Sequence, residues 1–440
     1  MFSRTTRVLL LAALLAAGAY FLLARSGDRT TEDPSRLLTF DVARVDGVIL
    51  GRIDTTLRFA RSDSLWRVIE PVSDTAESAT ITSLLDALRH AHIARNLGAP
   101  DDLAPFGLDA PDVRITLLSG VDTLGAVSIG KRTVDAAWCF ARAGSEDLLL
   151  IPTDVARAAS LPRDAYRSRR VVDFQLRDVA DYVVAGEDHG TAWARGARGW
   201  FSVPEPGDTV RGDSVAVESV LRRLRGLRVA AFVADADSHL VRTSTPLGDI
   251  SLRQIARPPY TRPTIPLAHL SIYRNARGTL VIERVSGRAV LVDDDLRDVF
   301  EPTTTSLRDR RLLQFAPPDV ARVELVSPSA SGSIVRAGGA WSFPNPARGR
   351  VDPRRAADFI RALRALKWTS PASTGTSAFH PAHFSVTMTD AGGNMIDQMQ
   401  AVPGPQGTWY VTSRSSRGTW QIEGERLTAL SGQFAALKEP

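Results

Sequence analysis

The stretch that most resembles a chemical site in this 440-residue chain runs from Gly125 to Thr133. Gly125, Gly130 and Lys131 have the G-x-x-x-x-G-K spacing of a phosphate-binding loop. Such a loop cradles phosphate with exposed backbone N–H groups, and its next residue must be Ser or Thr to meet magnesium. Arg132 occupies that position, and residues 126–129 form an apolar, strand-like run. The stretch therefore reads as a strand ending in a turn. Two close histidine pairs, His90 with His92 and His380 with His383, could begin a zinc site. Zinc needs three or four histidine, cysteine or carboxylate ligands, and no cysteine or acid nearby completes either set. Asp293, Asp294 and Asp295 could hold a hard cation. Their counterparts elsewhere, Asp154 and Glu425, also stand at the start of a short helix, which favours capping and the helix dipole. With Cys139 the only cysteine, a disulfide and a cysteine-rich metal site are excluded. Neither a metal nor a cofactor is expected, no catalytic residue stands out, and the chain does not read as an enzyme.

Charge points away from nucleic acid. The net charge is +5 with a pI near 9.7, but the basic residues are interleaved with 49 acids, whereas a nucleic-acid footprint clusters them on one face. Two arginine clusters are distinctive: Arg167, Arg169 and Arg170, then Arg308, Arg310 and Arg311. They could touch a partner, or pair with acids at a junction between modules.

Behind these residues lies a repeat. Residues 166–174 (YRSRRVVDF) recur as residues 307–315 (LRDRRLLQF), a shift of 141. The same shift carries Asp178 to Asp319, Trp200 to Trp341, Ile151 to Val292 and Asp154 to Asp295. One offset across landmarks of different kinds marks duplicated structure. Three units follow, each opening on Asp-Val-Ala at Asp41, Asp178 or Asp319. A second strand carries Trp66, Trp200 or Trp341, with Pro71, Pro204 or Pro344 soon after. Next comes an amphipathic helix with its apolar stripe at helical spacing: Ile81, Leu84, Leu85 and Leu88; Val217, Val220, Leu221 and Leu224; Phe359, Ile360, Leu363 and Leu366. Alternating strands and a last short helix complete each unit. With 44% hydrophobic residues, modules of this size can bury their own cores. The expected fold is α+β: an N-terminal transmembrane helix, then three tandem modules, each a mostly antiparallel sheet with one main amphipathic helix and one short helix. The expected boundaries are 1–34 for anchor and linker, then 35–174, 175–315 and 316–440 for the modules.

The anchor is read from residues 8–24, a run of 17 without charge or proline that follows Arg4 and Arg7. Val8, Leu9, Leu10, Leu14, Leu15, Phe21, Leu22 and Leu23 would face the lipid. At 1.5 Å per residue the run spans about 26 Å, short of the hydrocarbon core unless flanking arginines snorkel. The flanking charges place the N-terminus in the cytoplasm and the bulk outside it. A cleaved signal peptide, cut near Ala17-Gly18-Ala19, is the rival reading.

The repeating unit resembles a bacterial family known as domain of unknown function 4340. The resemblance rests on Trp66-Arg67-Val68 with Pro71, the helix at residues 81–88, and Phe106-Gly107-Leu108 followed by Pro111. Strands ending in Ile129-Gly130-Lys131 and the arginine-rich tails add to it. It implies one membrane helix and an association with ABC-type export components, including the gliding-motility-associated type. It brings no catalytic residues. The expected function is a membrane-anchored, periplasm-facing accessory or scaffold protein of such a transport system. Its partners would be the bilayer and integral membrane transport subunits, with single-pass placement in the inner membrane. An envelope polymer- or lipid-binding module is the alternative, and an exported hydrolase a third reading.

Overall fold

The structure, a computed structural model, describes residues 35–438 apart from 64, 188–189, 198, 206–207, 234–237, 256–263, 301–305, 346–348, 373–378 and 380. Two compact units divide the chain. One comprises Met1–Val171, Leu227–Val241 and Leu280–Asp293, and the other Val172–Gly226, Arg242–Thr279 and Asp294–Pro440.

In the first unit, strands β1 (Gly47–Arg52), β2 (Thr56–Ser62), β3 (Leu65–Glu70) and β4 (Asp74–Thr75) precede helix α1 (Ser78–His90). Strands β5 (Arg95–Asn96), β6 (Val113–Ser119), β7 (Asp122–Arg132), β8 (Trp138–Ala143) and β9 (Leu149–Pro152) follow, then α2 (Thr153–Ala159). They make a nine-stranded antiparallel sheet in the order β4-β3-β2-β1-β6-β7-β8-β9-β5. Its register pairs Val48 with Phe59 and with Leu117. The alternation in β2 buries Leu57 and Phe59 and exposes Arg58, as a one-faced sheet requires. Ile81, Leu84, Leu85 and Leu88 of α1 join those strands in one core. Each such side chain, once buried, contributes about 1.5–3 kcal/mol from apolar area alone.

The same succession recurs along the chain. Strands β10 (Asp181–Gly186), β11 (Gly190–Gly196), β12 (Gly199–Glu205) and β13 (Asp208–Arg211) lead to α3 (Ser214–Gly226). Then come β14 (Ala231–Phe232), α4 (Ser238–Arg242), β15 (Thr245–Ile255), β16 (Thr264–Asn275), β17 (Gly278–Glu283), β18 (Arg288–Val292) and α5 (Arg297–Phe300). Within the second unit β13-β12-β11-β10-β15-β16 repeats the order β4-β3-β2-β1-β6-β7, and within the first β18 pairs β14 as β9 pairs β5.

The last succession is β19 (Arg322–Val326), β20 (Ser331–Ala337), β21 (Ala340–Ser342), α6 (Pro353–Ala365), β22 (Ser370–Pro371), β23 (Phe384–Thr389), β24 (Met395–Pro403), β25 (Thr408–Ser413), β26 (Thr419–Glu423) and α7 (Gly424–Ala435). Its eight strands take the order β21-β20-β19-β23-β24-β25-β26-β22. Asp352 caps α6 by accepting from the Arg354 and Arg355 N–H groups, and Pro353 fills the first helical turn where no N–H is needed. The tryptophans fall on the third strand of each succession, β3, β12 and β21, because β2, β11 and β20 intervene.

The α+β class stands, but the membrane-spanning part of the expected fold is corrected. No helix among the described residues is long and apolar enough to cross a membrane. The longest there run 13 residues, about 20 Å against a hydrocarbon core of about 30 Å, and each carries charged residues on its exposed side. The expected anchor residues Val8, Leu9, Leu10, Leu14, Leu15, Phe21, Leu22 and Leu23 lie outside the described residues. The bilayer as partner and single-pass inner-membrane placement rested on that helix, and the anchored accessory role with integral membrane transport subunits rested on it together with the family resemblance and the repeats. They are withdrawn with it, as are the envelope-based alternatives.

Candidate functional site

The two arginine clusters lie on extended segments, residues 166–172 and 307–313, that bond on both sides. In the first, the Glu77 N–H donates to the Tyr166 carbonyl and the Ser168 N–H to that of Thr75. Two residues on, the Val229 N–H donates to the Arg169 carbonyl and the Val171 N–H to that of Leu227. In the second, the Asp213 N–H donates to the Leu307 carbonyl and the Asp309 N–H to that of Arg211. The Trp368 N–H then reaches the Arg310 carbonyl, and the Leu312 N–H that of Leu366. Each segment is thus a strap closing the entrance to one main helix and opening the stretch behind the next. Leu437 and Lys438 occupy the first position at α6, and Ser35 to Leu37 the second behind α1.

Of the three buried carboxylates among the described residues, Asp74 and Asp309 secure a strap and Asp397 the residue that follows the second one. Asp74, 3% exposed, takes the Nε of Arg167 at 2.7 Å, and Arg167 is itself 6% exposed. Arg288 approaches Asp74 at 3.4 Å, within ion-pair reach but without hydrogen-bond alignment. The Phe232 ring lies 3.9 Å from the Arg167 guanidinium carbon and 5.3 Å from that of Arg288. Arg288 also donates to the carbonyls of Ser168 and Arg170. Burial pulls its guanidinium below the usual range, and Arg167 adds to this against the pull of Asp74. In the second strap Asp309 replaces Ser168; 5% exposed, it binds Arg311 through both oxygens. That bond raises Arg311 above its ordinary value. Asp397, fully buried, accepts from the N–H groups of Gln314, Gln398 and Ser415. Burial nevertheless pushes its carboxyl up.

Of the remaining cluster residues Arg169, Arg170 and Arg310 are exposed and Arg308 is half-buried, each with contacts inside the chain. The Arg169 guanidinium donates to the Val229 carbonyl, and Arg170 forms a bridge with Arg228. Arg308 lies over Trp420 and donates to the Arg417 carbonyl. Arg310 lies over Trp368, which stacks on Trp420 at 4.2 Å. Tyr166, buried beside Phe59, donates to the Ala158 carbonyl, and burial pushes its phenol up to about 12.

A second set of residues recurs that sequence reasoning missed. Arg61, Arg195 and Arg336 stand directly across the hairpin from Trp66, Trp200 and Trp341. Their N–H groups donate to the carbonyls of Asp46, Ala180 and Ala321, each at 2.7 Å. Their guanidiniums hold the 3₁₀ turn before the first strand, at the carbonyls of Ala43, Leu176 and Pro317. An arginine five residues before each tryptophan was the available signal. In the last succession of strands this corner opens into a cavity of about 450 Å³, lined by Trp341, Ile360, prolines 317, 318 and 353, and arginines 336, 361 and 364.

The other candidates separate. Gly130 lies in β7 against the turn at Phe106 and Gly107, where a Cβ would crowd the Gly107 carbonyl oxygen at 2.8 Å. Gly107 has φ +67, and Lys131 reaches the Ala104 carbonyl. The phosphate-loop spacing and the Phe-Gly-Leu element are therefore two halves of one close packing. His90 bonds to the Asp86 carbonyl and His92 to Ser35; His380 lies outside the described residues. Asp294 and Asp298 clamp Arg223 of α3 and raise its pKa. Asp295 caps α5, and Arg297 lowers it to about 2. No group of three acids, histidines or cysteines placed to hold a metal occurs among the described residues.

None of the curated proteins matches the chain. One family does match, from Trp66 in β3 to Thr245 at the start of β15, so that the first strap lies inside the matched stretch. Over residues 66–245 the chain carries a domain of unknown function, DUF4340.

Proposed function

We propose that the protein acts by contact and not by catalysis: three tandem copies of this domain, joined by straps, forming a platform that binds a partner. The observation carrying this reading is the use of its buried acids. Asp74 and Asp309 each hold a strap and Asp397 holds the Gln314 N–H just beyond the second one, so the groups best placed for acid–base work are committed to architecture. The shared strand order of the successive sheets supports the tandem reading. A catalytic site would instead gather titratable groups around an open cleft.

The test sets turnover against binding. The full chain is incubated with chromogenic esters, phosphates and glycosides, and hydrogen exchange is followed with and without an extract of its own cells. Protection of a discrete surface without turnover is expected. Saturable turnover that Asp397→Asn abolishes overturns the reading.

A further inference from the structure

The cavity of the third copy differs from its counterpart by a missing acid. In the second copy Arg195 lies 4.7 Å from the Trp200 ring and faces Glu218 of α3 at 3.8 Å. Trp200 there is 1% exposed. Helices α3 and α6 align residue for residue: their caps are Asp213 and Asp352, and Val217, Leu221 and Leu224 correspond to Ala356, Ile360 and Leu363. In that alignment Glu218 becomes Ala357, which lines the cavity. Arg336 keeps its turn carbonyls but, among the described residues, meets no carboxylate, and Trp341 is only partly buried. Arg364 also has no acid partner there, whereas Arg361 is paired with Asp358.

We infer that this cavity binds a small carboxylate with an apolar, ring-sized body, the carboxylate taking the place that Glu218 fills in the second copy. A guanidinium fork matches the planar carboxylate, and Trp341, Ile360 and Pro318 offer the apolar floor. The volume lies within the range of small-molecule sites, about 300–1,000 Å³. The inference deepens the contact reading and rests on it.

The probe is 4-phenylbutyrate, titrated into the full chain by calorimetry beside its amide, 4-phenylbutyramide. Saturable one-to-one binding of the acid, about tenfold or more tighter than the amide, is expected. Ala357→Glu restores the internal acid on an exposed helical position, where glutamate is among the better helix formers and costs little against alanine. It should weaken the acid about tenfold or more while the unfolding midpoint stays unchanged. Equal binding of acid and amide, acid binding that Ala357→Glu leaves intact, or no saturable binding overturns the site. Any of these leaves the contact reading standing, because that reading falls only on turnover.

Discussion

Replacing Asp74 with Asn removes one charge from the first strap and little else. The side-chain oxygen that accepts the Thr75 N–H can be kept, so the change isolates the ion pair. Two guanidiniums then remain beside Phe232 without their shared counter-charge. Breaking a buried pair from one side costs about 3–5 kcal/mol. The lower end applies, because Arg167 keeps Asp164 at 3.3 Å and Arg288 keeps two strap carbonyls. For a unit of about 200 residues, about 3 kcal/mol lowers the melting temperature by about 6–12 °C. Denaturant unfolding and calorimetry read this directly. Arg288→Met added to Asp74→Asn should restore about 1 kcal/mol or more, since one unpaired charge leaves with it. A loss below about 1 kcal/mol, or strictly additive costs, would refute the reasoning.

Two further outcomes follow from the same contacts. Burial raises the Asp397 carboxyl above 3.8, so the folded chain keeps that proton to higher pH than the unfolded one. Its contribution to folding is full below the unfolded value, about 4, and is lost as pH rises through the folded value; a carboxyl NMR titration should place the midpoint above that of an ordinary aspartate, and Asp397→Asn should remove this component of the stability–pH curve. Gly130→Ala forces a Cβ against the backbone at Phe106 and Gly107 and should cost about 1–3 kcal/mol in denaturant unfolding, whereas Gly120→Ala has open space around it and suffers only its positive φ.

What the sequence discloses here follows the range of each interaction. The main helices were legible because their apolar residues recur every three or four positions and that stripe is what the core buries. The strands β6 to β9 of the first sheet were legible from alternation. The intervening strands β2, β11 and β20 were missed, so the tryptophans were assigned one strand too early. The link from Asp74 to Arg288 joins residues 214 positions apart, and no local pattern announces such a pair. The arginine clusters were visible as features, but whether they faced a partner or the fold depended on distant carbonyls and acids. The corner arginines could have been found by aligning the three tryptophans. The missing acid at Ala357 could not, because its meaning needs the Arg195–Glu218 pair in space.

The strap account is tested most directly by native-state hydrogen exchange on the full chain. The amides of Ser168, Val171, Asp309 and Leu312 donate to carbonyls on either side of the straps. They should exchange as slowly as core-strand amides such as those of Val48 and Val323, about a thousandfold or more below the unstructured rate. Exchange at the rate of exposed turns would show that these segments are ordinary linkers, and the buried acids would then need another explanation.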